Sequence, residues 1–393
     1  MCRVYRGWVI YADNNATTRL DPNAWEAMRP FLTDNYFNPS SPYTPARSIA
    51  LAISDAREQV ARLLGAEADE VVFTSGGTEG NTSAIHLARE WHPERRHWIC
   101  SAVEHSAVLE PLAALERAGH RVTRLPVDCA GRIDLAHLRA ALTEDTALVS
   151  VMAANNETGV LFPIAEISEI ARAKGVPVHT DAAQIVGRLP VSFREWGVNF
   201  LTCSAHKLHG PKGVGALAIR REVPRAPLFL GGGQEGGWRA GTENVAGVVA
   251  FGASAEVAFR ERDEIAARMR RLRDVVELGV REELPDIVLV GGEVERLPNT
   301  TMLLVPGINT DVMLAQLDME DVCCSSGSAC SSGSAELSHV LRAMGWVSAE
   351  ERAAVRVSWG RFSAENEANE LVRRLCNSVR VVRGRLRSSG KDF

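Results

Sequence analysis

The chain has 393 residues, 46% of them hydrophobic and 24% charged, with a formal net charge of −5. That length exceeds one small core and favours one large and one smaller domain, while the mild acidity argues against nucleic acid as the main partner. No apolar run approaches the ~18 residues of a membrane span, the apolar start at 8–12 is too short for a signal peptide, and eight unevenly spaced cysteines without C-x-x-C pairs indicate free thiols in a reducing cytosol.

Short apolar runs alternate with helical patterns from residue 71 to 219. Runs at 71–73, 98–100, 122–125, 148–152, 176–178, 200–202 and 215–219 read as strands, and 78–89, 107–118, 135–142 and 164–173 as amphipathic helices. Strands joined by helical crossovers predict an α/β fold with a mostly parallel sheet covered by helices on both faces. A long helix is expected over 245–283. Strand-like runs at 287–290, 301–305 and 355–358 then mix with helical patterns at 311–318, 338–344 and 364–382, which predicts a smaller α+β domain. The expected division is 16–261 for the large domain, and 1–15 with 262–393 for the small one.

Ligands of such sheets sit beyond the carboxyl ends of the strands, and polar residues recur there. Thr74-Ser75-Gly76-Gly77-Thr78 follows the first run, Glu104-His105 the second, and Asn155-Asn156-Glu157 the fourth. Asp181 with Gln184 follows the fifth, and Ser204-Ala205-His206-Lys207 the sixth. A lysine at a strand end is placed to form a Schiff base with a carbonyl. Pyridoxal 5'-phosphate asks for that amine, a carboxylate at its pyridine nitrogen, a flat group on its ring, a donor to its phenolic oxygen and a phosphate cradle. Lys207, Asp181, His105 and Gln184 supply the first four. Gly77-Thr78, opening a helix directly after a strand, offers free N–H groups and a hydroxyl for the phosphate, completed by Ser204, His206 and Thr242.

These segments, with Tyr11-Ala12-Asp13-Asn14-Asn15-Ala16-Thr17-Thr18, Arg239-Ala240-Gly241-Thr242-Glu243-Asn244, Ser325-Ser326-Gly327-Ser328-Ala329-Cys330 and Arg356-Val357-Ser358-Trp359-Gly360-Arg361-Phe362, resemble the cysteine desulfurases of the NifS/IscS type. These belong to the class V aminotransferases of pyridoxal phosphate fold type I, and the resemblance covers nearly the whole chain. It implies Lys207 as the lysine that binds the cofactor, His105 as the stacking and proton-handling histidine, and Asp181 as the pyridine partner. It implies Gln184 and Asn156 at the phenolic oxygen and substrate, and Arg356 as the clamp for the substrate carboxylate. Thr242 is then a phosphate ligand given across a homodimer interface, and Cys330 the nucleophile. The implied reaction turns L-cysteine into L-alanine and leaves sulfur as a persulfide on Cys330. That sulfur would feed iron–sulfur cluster assembly or other thio-cofactors in the cytoplasm, through a scaffold or acceptor protein. The only metal contact implied is a transient one between the Cys330 persulfide and a cluster.

Cys330 stands in a Ser/Gly-rich run unsuited to a packed core, where a thiolate can attack and deliver sulfur; Cys323 and Cys324 compete for that role. Three departures from the family pattern stand out: Gly236 where Gln-Glu-Arg-Gly is usual, Ala205 for a glycine, and Leu337 for a proline. A selenocysteine lyase or a small-amino-acid aminotransferase on the same fold is the alternative enzyme. A non-catalytic sulfur or iron–sulfur carrier using Cys323, Cys324 and Cys330 is the rival from another class.

Overall fold

The computed structural model describes residues 8–327, 338–346 and 352–388. A short strand, β1 (Ile10–Tyr11), precedes the main sheet. That sheet is built from β2 (Val71–Thr74), β3 (His97–Ser101), β4 (Arg121–Leu125), β5 (Thr146–Ser150), β6 (Val178–Asp181), β7 (Phe200–Ser204) and β8 (Gly215–Ile219). Its order is β2-β8-β7-β6-β5-β3-β4. All neighbours are parallel except β8, which runs antiparallel to both β7 and β2. Every residue of β2, β3, β5, β6, β7 and β8 is buried, as continuous apolar runs covered on both faces require. Only the edge strand β4 shows exposed residues.

The helices Gly77–Trp91, Ser106–Arg117, Leu135–Ala141 and Ile164–Arg172 fall within a few residues of their expected places. Two strands do not. The run expected at 176–178 starts at Val178 and extends to Asp181, because His179 and Thr180 are buried as strand residues. His179 affords this by placing Nδ1 on Ser150 Oγ at 2.8 Å and Nε2 on Thr202 Oγ1 at 3.1 Å. The run expected at 148–152 begins two residues earlier, at Thr146, whose hydroxyl is satisfied by His97 Nδ1 at 2.9 Å.

Four α-helices were not anticipated, and two of them, Pro22–Met28 and Thr44–Leu64, are longer than a single turn. Pro22–Met28 opens under an Asp21 cap, whose Oδ1 accepts from Asn23 N at 2.7 Å, and its proline sits in the first turn where a missing N–H costs nothing. Thr44–Leu64 buries Ile49, Ile53, Ala56, Val60 and Leu64 at helical spacing. It lies along Val245–Glu283, a single 39-residue helix that occupies its expected span and runs ~58 Å.

Beyond it, β9 (Val288–Val290), β10 (Thr300–Pro306) and β12 (Arg352–Ser358) form an antiparallel sheet in the order β12-β10-β9, while β11 (Val322–Cys323) pairs parallel with β1. Ile10, Ala12, Leu272, Val355 and Trp359 share one core here, separate from the core under the main sheet. The segment after β1 links the two: Asn14 N donates to Ser358 O at 3.1 Å and Asn15 N to Ser358 Oγ at 3.0 Å. Among the described residues no helix is long and apolar enough to cross a membrane.

Candidate active site

The carboxyl ends of the parallel strands bring the amine, the carboxylate and the anion cradle to one side. Lys207 ends a short 3-10 turn directly after β7, and its Nζ donates to the carbonyls of Asn15 at 2.5 Å and Ala16 at 2.7 Å. Asp181, the last residue of β6, is buried, with Oδ2 accepting from Asn81 Nδ2 at 2.6 Å and Oδ1 from Ala183 N at 2.9 Å. Gly76 caps the helix that carries Gly77 and Thr78 in its first turn. A Cβ on Gly77 would stand 3.8 Å from Ser204 Cβ, so Ser204 borders the open N-terminus of that helix. Gly215 of β8 makes this possible, because a Cβ there would come within 2.8 Å of the Gly76 Cα.

His105 caps Ser106–Arg117, its Nδ1 accepting from Ala107 N at 3.0 Å. That bond places the proton of the neutral ring on Nε2. Burial pushes His105 below its ordinary value, with Lys207 and His339 adding to the fall and Asp181 opposing it. His206 Nδ1 meets Thr17 Oγ1 at 3.1 Å; burial, then Lys207, Lys212 and Arg188, hold it down at about 4. Gln184 is buried but committed elsewhere: Nε2 donates to Asn15 O at 3.0 Å and Oε1 accepts from Arg188 at 2.6 Å.

The second core contributes Arg356, 2% exposed on β12. Its Nη1 donates to Asn156 O at 2.9 Å and its Nη2 to Asp13 Oδ1 at 2.7 Å, while Nε has no partner among the described residues. Asn156 O also accepts from Asn15 Nδ2 at 3.1 Å. Lys207 and Arg356 are thereby joined through Asn15 and Asn156, although they come from different cores.

Thr242 is exposed, on the loop before the long helix, and does not join this cluster within one chain. Cys330 and Leu337 lie outside the described residues. Cys324 is a poor nucleophile, since burial pushes its thiol up to about 12; Cys323 is also raised, first by burial and then by nearby carboxylates. One departure finds its reason. Ala205 is fully buried, and the residue facing its Cβ is Gly210, where a Cβ would come within 2.8 Å. Glu235, next to Gly236, pairs with Arg57 through two bonds of 2.7 Å and accepts from Phe73 N at 2.8 Å.

Sequence reasoning assigned no role to Asn15, Asn81 or Glu104. Asn15 meets Lys207 and Gln184 through its carbonyl, which no side-chain pattern reveals, and Asn156 through its side-chain amide. Asn81 stands one helical turn after Gly77, and that i, i+4 spacing was its available signal. Glu104 is fully buried, with Oε1 accepting from Ser101 Oγ at 2.5 Å and from Met152 N at 2.9 Å. Burial raises its carboxyl to about 8, against those two bonds and with help from Asp181.

The family model for aminotransferase class-V matches residues 10–371. Cysteine desulfurase 2 of Trichormus variabilis is 48% identical over 364 residues, covering 93% of this chain and 91% of its own. The chain belongs to the class-V aminotransferases, among the cysteine desulfurases. Another member, cysteine desulfurase NifS of Azotobacter vinelandii, is 43% identical over 375 residues, 95% of this chain and 93% of its own. A solved NifS-like protein superposes with a TM-score of 0.88 at 35% identity, over 94% of this chain and 99% of its own.

This family works with pyridoxal phosphate, and the residues in place fit that group. A buried carboxylate, a strand-end amine on two carbonyls and an open helix N-terminus beside a serine hydroxyl are the donor set it asks for.

Proposed function

We propose that this enzyme removes sulfur from L-cysteine, with pyridoxal phosphate on Lys207, and passes it to Cys330. The observation that carries the reading is the chain Lys207–Asn15–Asn156–Arg356, which sets an amine and a guanidinium on one hydrogen-bonded frame. A substrate with a carboxylate next to its reacting carbon is what such a pair would seat.

Asp181, held by Asn81 and Ala183, would face the ring nitrogen. Gly77, Thr78, Ser204 and His206 would hold the phosphate, with Thr242 from a second copy of the chain. His105 would supply a flat ring carrying its proton at Nε2. Gln184 would have to give up its bond to Asn15 to reach the phenolic oxygen. When bound, the cofactor draws electrons from the substrate Cα. Lys207 then takes the Cα proton, and Arg356 orients the carboxylate through Nε, which has no partner among the described residues. The Cys330 thiolate attacks the substrate sulfur; an S–S bond forms, the substrate C–S bond breaks, and its electron pair ends in a C–H bond of alanine.

A homodimer is part of this proposal. Leu230 is 86% exposed and Tyr36 75%, and both would be available to a second copy of the chain. A sulfur-acceptor or iron–sulfur scaffold protein in the cytoplasm completes the reading. The test is turnover of L-cysteine by the holoenzyme with a thiol reductant. The account expects alanine and sulfide in equal amounts with no 2-oxo acid added, and a greatly raised KM in Arg356→Gln. Alanine formed only when a 2-oxo acid is supplied would identify an aminotransferase instead.

A further inference from the structure

Glu157 is a carboxyl for which the site described above has no use. It is 2% exposed, in the turn that follows β5. Its Oε2 accepts a hydrogen bond from Ser338 Oγ. On the other side it packs on Gly327, where a Cβ would stand 2.9 Å from both Cγ and Oε2 of Glu157. Gly327 has φ +95°, so a side chain is unwelcome there on both counts. Gly327 and Ser338 are the described residues on either side of 328–337, the stretch that includes Cys330. The chain therefore enters and leaves that stretch against one buried carboxyl.

Both ends are also tied to the site. Gly327 O accepts from Arg356 Nη1 at 3.4 Å, and Gly327 N donates to Ser325 Oγ at 3.3 Å. Ser325 Oγ in turn donates to Asp13 Oδ1 at 3.1 Å, the carboxylate that holds Arg356. At the far end Ser338 Oγ accepts from Val340 N at 3.1 Å, capping His339–Ala343. His339 Nε2 then meets Glu104 O at 2.9 Å, one residue from His105. Burial raises the Glu157 carboxyl above the usual range, while the Ser338 hydroxyl, His339 and Arg356 work against the rise. A purely packing role here would be filled at less cost by an apolar side chain.

We propose that Glu157 is a positioning residue for sulfur transfer: by fastening Gly327 and Ser338 to one point beside Arg356, it fixes where Cys330 meets the substrate sulfur. This rests on Cys330 being the nucleophile. The contacts of the Glu157 carboxyl are with Ser338 and Gly327 rather than with the residues assigned to the cofactor, so cysteine binding should survive its loss while transfer to the thiol suffers.

The test uses the holoenzyme in a single turnover with L-cysteine, following the sulfur added to Cys330 by mass spectrometry and the change in cofactor absorbance separately. Glu157→Ala is expected to slow sulfur arrival at Cys330 by roughly tenfold or more, the scale of small misplacements of reacting groups. Its absorbance change should keep the wild-type cysteine dependence. Glu157→Gln, which retains an acceptor for Ser338, is expected to recover most of the rate, and Ser338→Ala to lose part of it. A native transfer rate in Glu157→Ala, or an equal loss in cysteine binding, overturns the proposal. Should Glu157→Ala fail to fold, Ser338→Ala decides, and a native rate there overturns it too. Sulfur on Cys323 or Cys324 in the unaltered enzyme would instead defeat the Cys330 reading, and this proposal with it.

Discussion

Asp13 holds Arg356 in place: Arg356 Nη2 donates to Asp13 Oδ1 at 2.7 Å across 343 residues of sequence. The arginine is almost wholly buried, and Asp13 is its carboxylate partner. Removing one member of a buried pair leaves an uncompensated charge, a loss of about 3–5 kcal/mol. Asp13→Ala is therefore expected to lower the melting temperature and raise the KM for cysteine more than it lowers kcat. Asp13→Asn, which keeps an acceptor oxygen, is expected to fall between the two. Steady-state kinetics with thermal unfolding check this; an unchanged KM in Asp13→Ala would show that Asp13 does not orient the guanidinium.

Asn81 stands in the same relation to Asp181. A hydrogen bond to a charged group contributes roughly 1.5–3 kcal/mol, and here the bond is 2.6 Å long inside the protein. Asn81→Ala is expected to loosen cofactor retention about tenfold or more, read by titrating the apoprotein with pyridoxal phosphate. Retention equal to the wild type would mean that Ala183 N alone fixes the carboxylate.

Glu235 and Arg57 tie the loop before the long helix to β2. Glu235 accepts two bonds from Arg57 and one from Phe73 N, with its own backbone in the left-handed region at φ +50°. Glu235→Ala is expected to cost about 3–5 kcal/mol in denaturant unfolding, because it strands the Arg57 charge and an N–H of β2. Stability within 1 kcal/mol of wild type, on the order of a surface substitution, would show the pair to be incidental.

Stability should also depend on pH in two opposed ways. Burial holds His97, His179, His206 and His209 each down at about 4. A lowered histidine takes up its proton first in the unfolded chain, so its contribution is present above 6.5 and drains as pH falls toward 4. Glu104, raised from 4.5 to about 8, runs the other way, its contribution draining as pH rises through that interval. Four histidines outweigh one carboxyl on the acid side, so the melting temperature is expected to peak at about pH 6.5–7. Glu104→Gln should flatten the alkaline limb and steepen the acid limb, because the carboxyl that opposes the histidines between 4.5 and about 8 is gone. A melting temperature constant from pH 7 down to 5 would contradict the neutral burial of these rings.

The placement of Lys207, Asp181 and His105 beyond strand ends was readable in the sequence because each follows an apolar run, and the ends of parallel strands are where a sheet of this kind exposes chemistry. The long helix Val245–Glu283 was readable because its polar face runs on without a breaker. The strand β6 was misplaced because His179 looks exposed until its partners, Ser150 on β5 and Thr202 on β7, are known. The place of Gln184 just beyond β6 was legible, but its bonds to Asn15 and Arg188 were not, since they depend on how the segment after β1 crosses between the two cores. Asn15 shows the limit most clearly: its carbonyl carries no residue-specific signal, yet Lys207 and Gln184 both bind it.

The most direct measurement of the central claim is mass spectrometry of the peptide containing Cys330 after the holoenzyme has met L-cysteine without reductant. The account predicts one added sulfur atom on Cys330 in the native enzyme and none in Lys207→Ala, where the amine that holds the cofactor is gone. It also predicts that Cys330→Ser still changes its cofactor absorbance with cysteine while forming no alanine. An unmodified Cys330 peptide in an enzyme that turns over cysteine at full rate would contradict it.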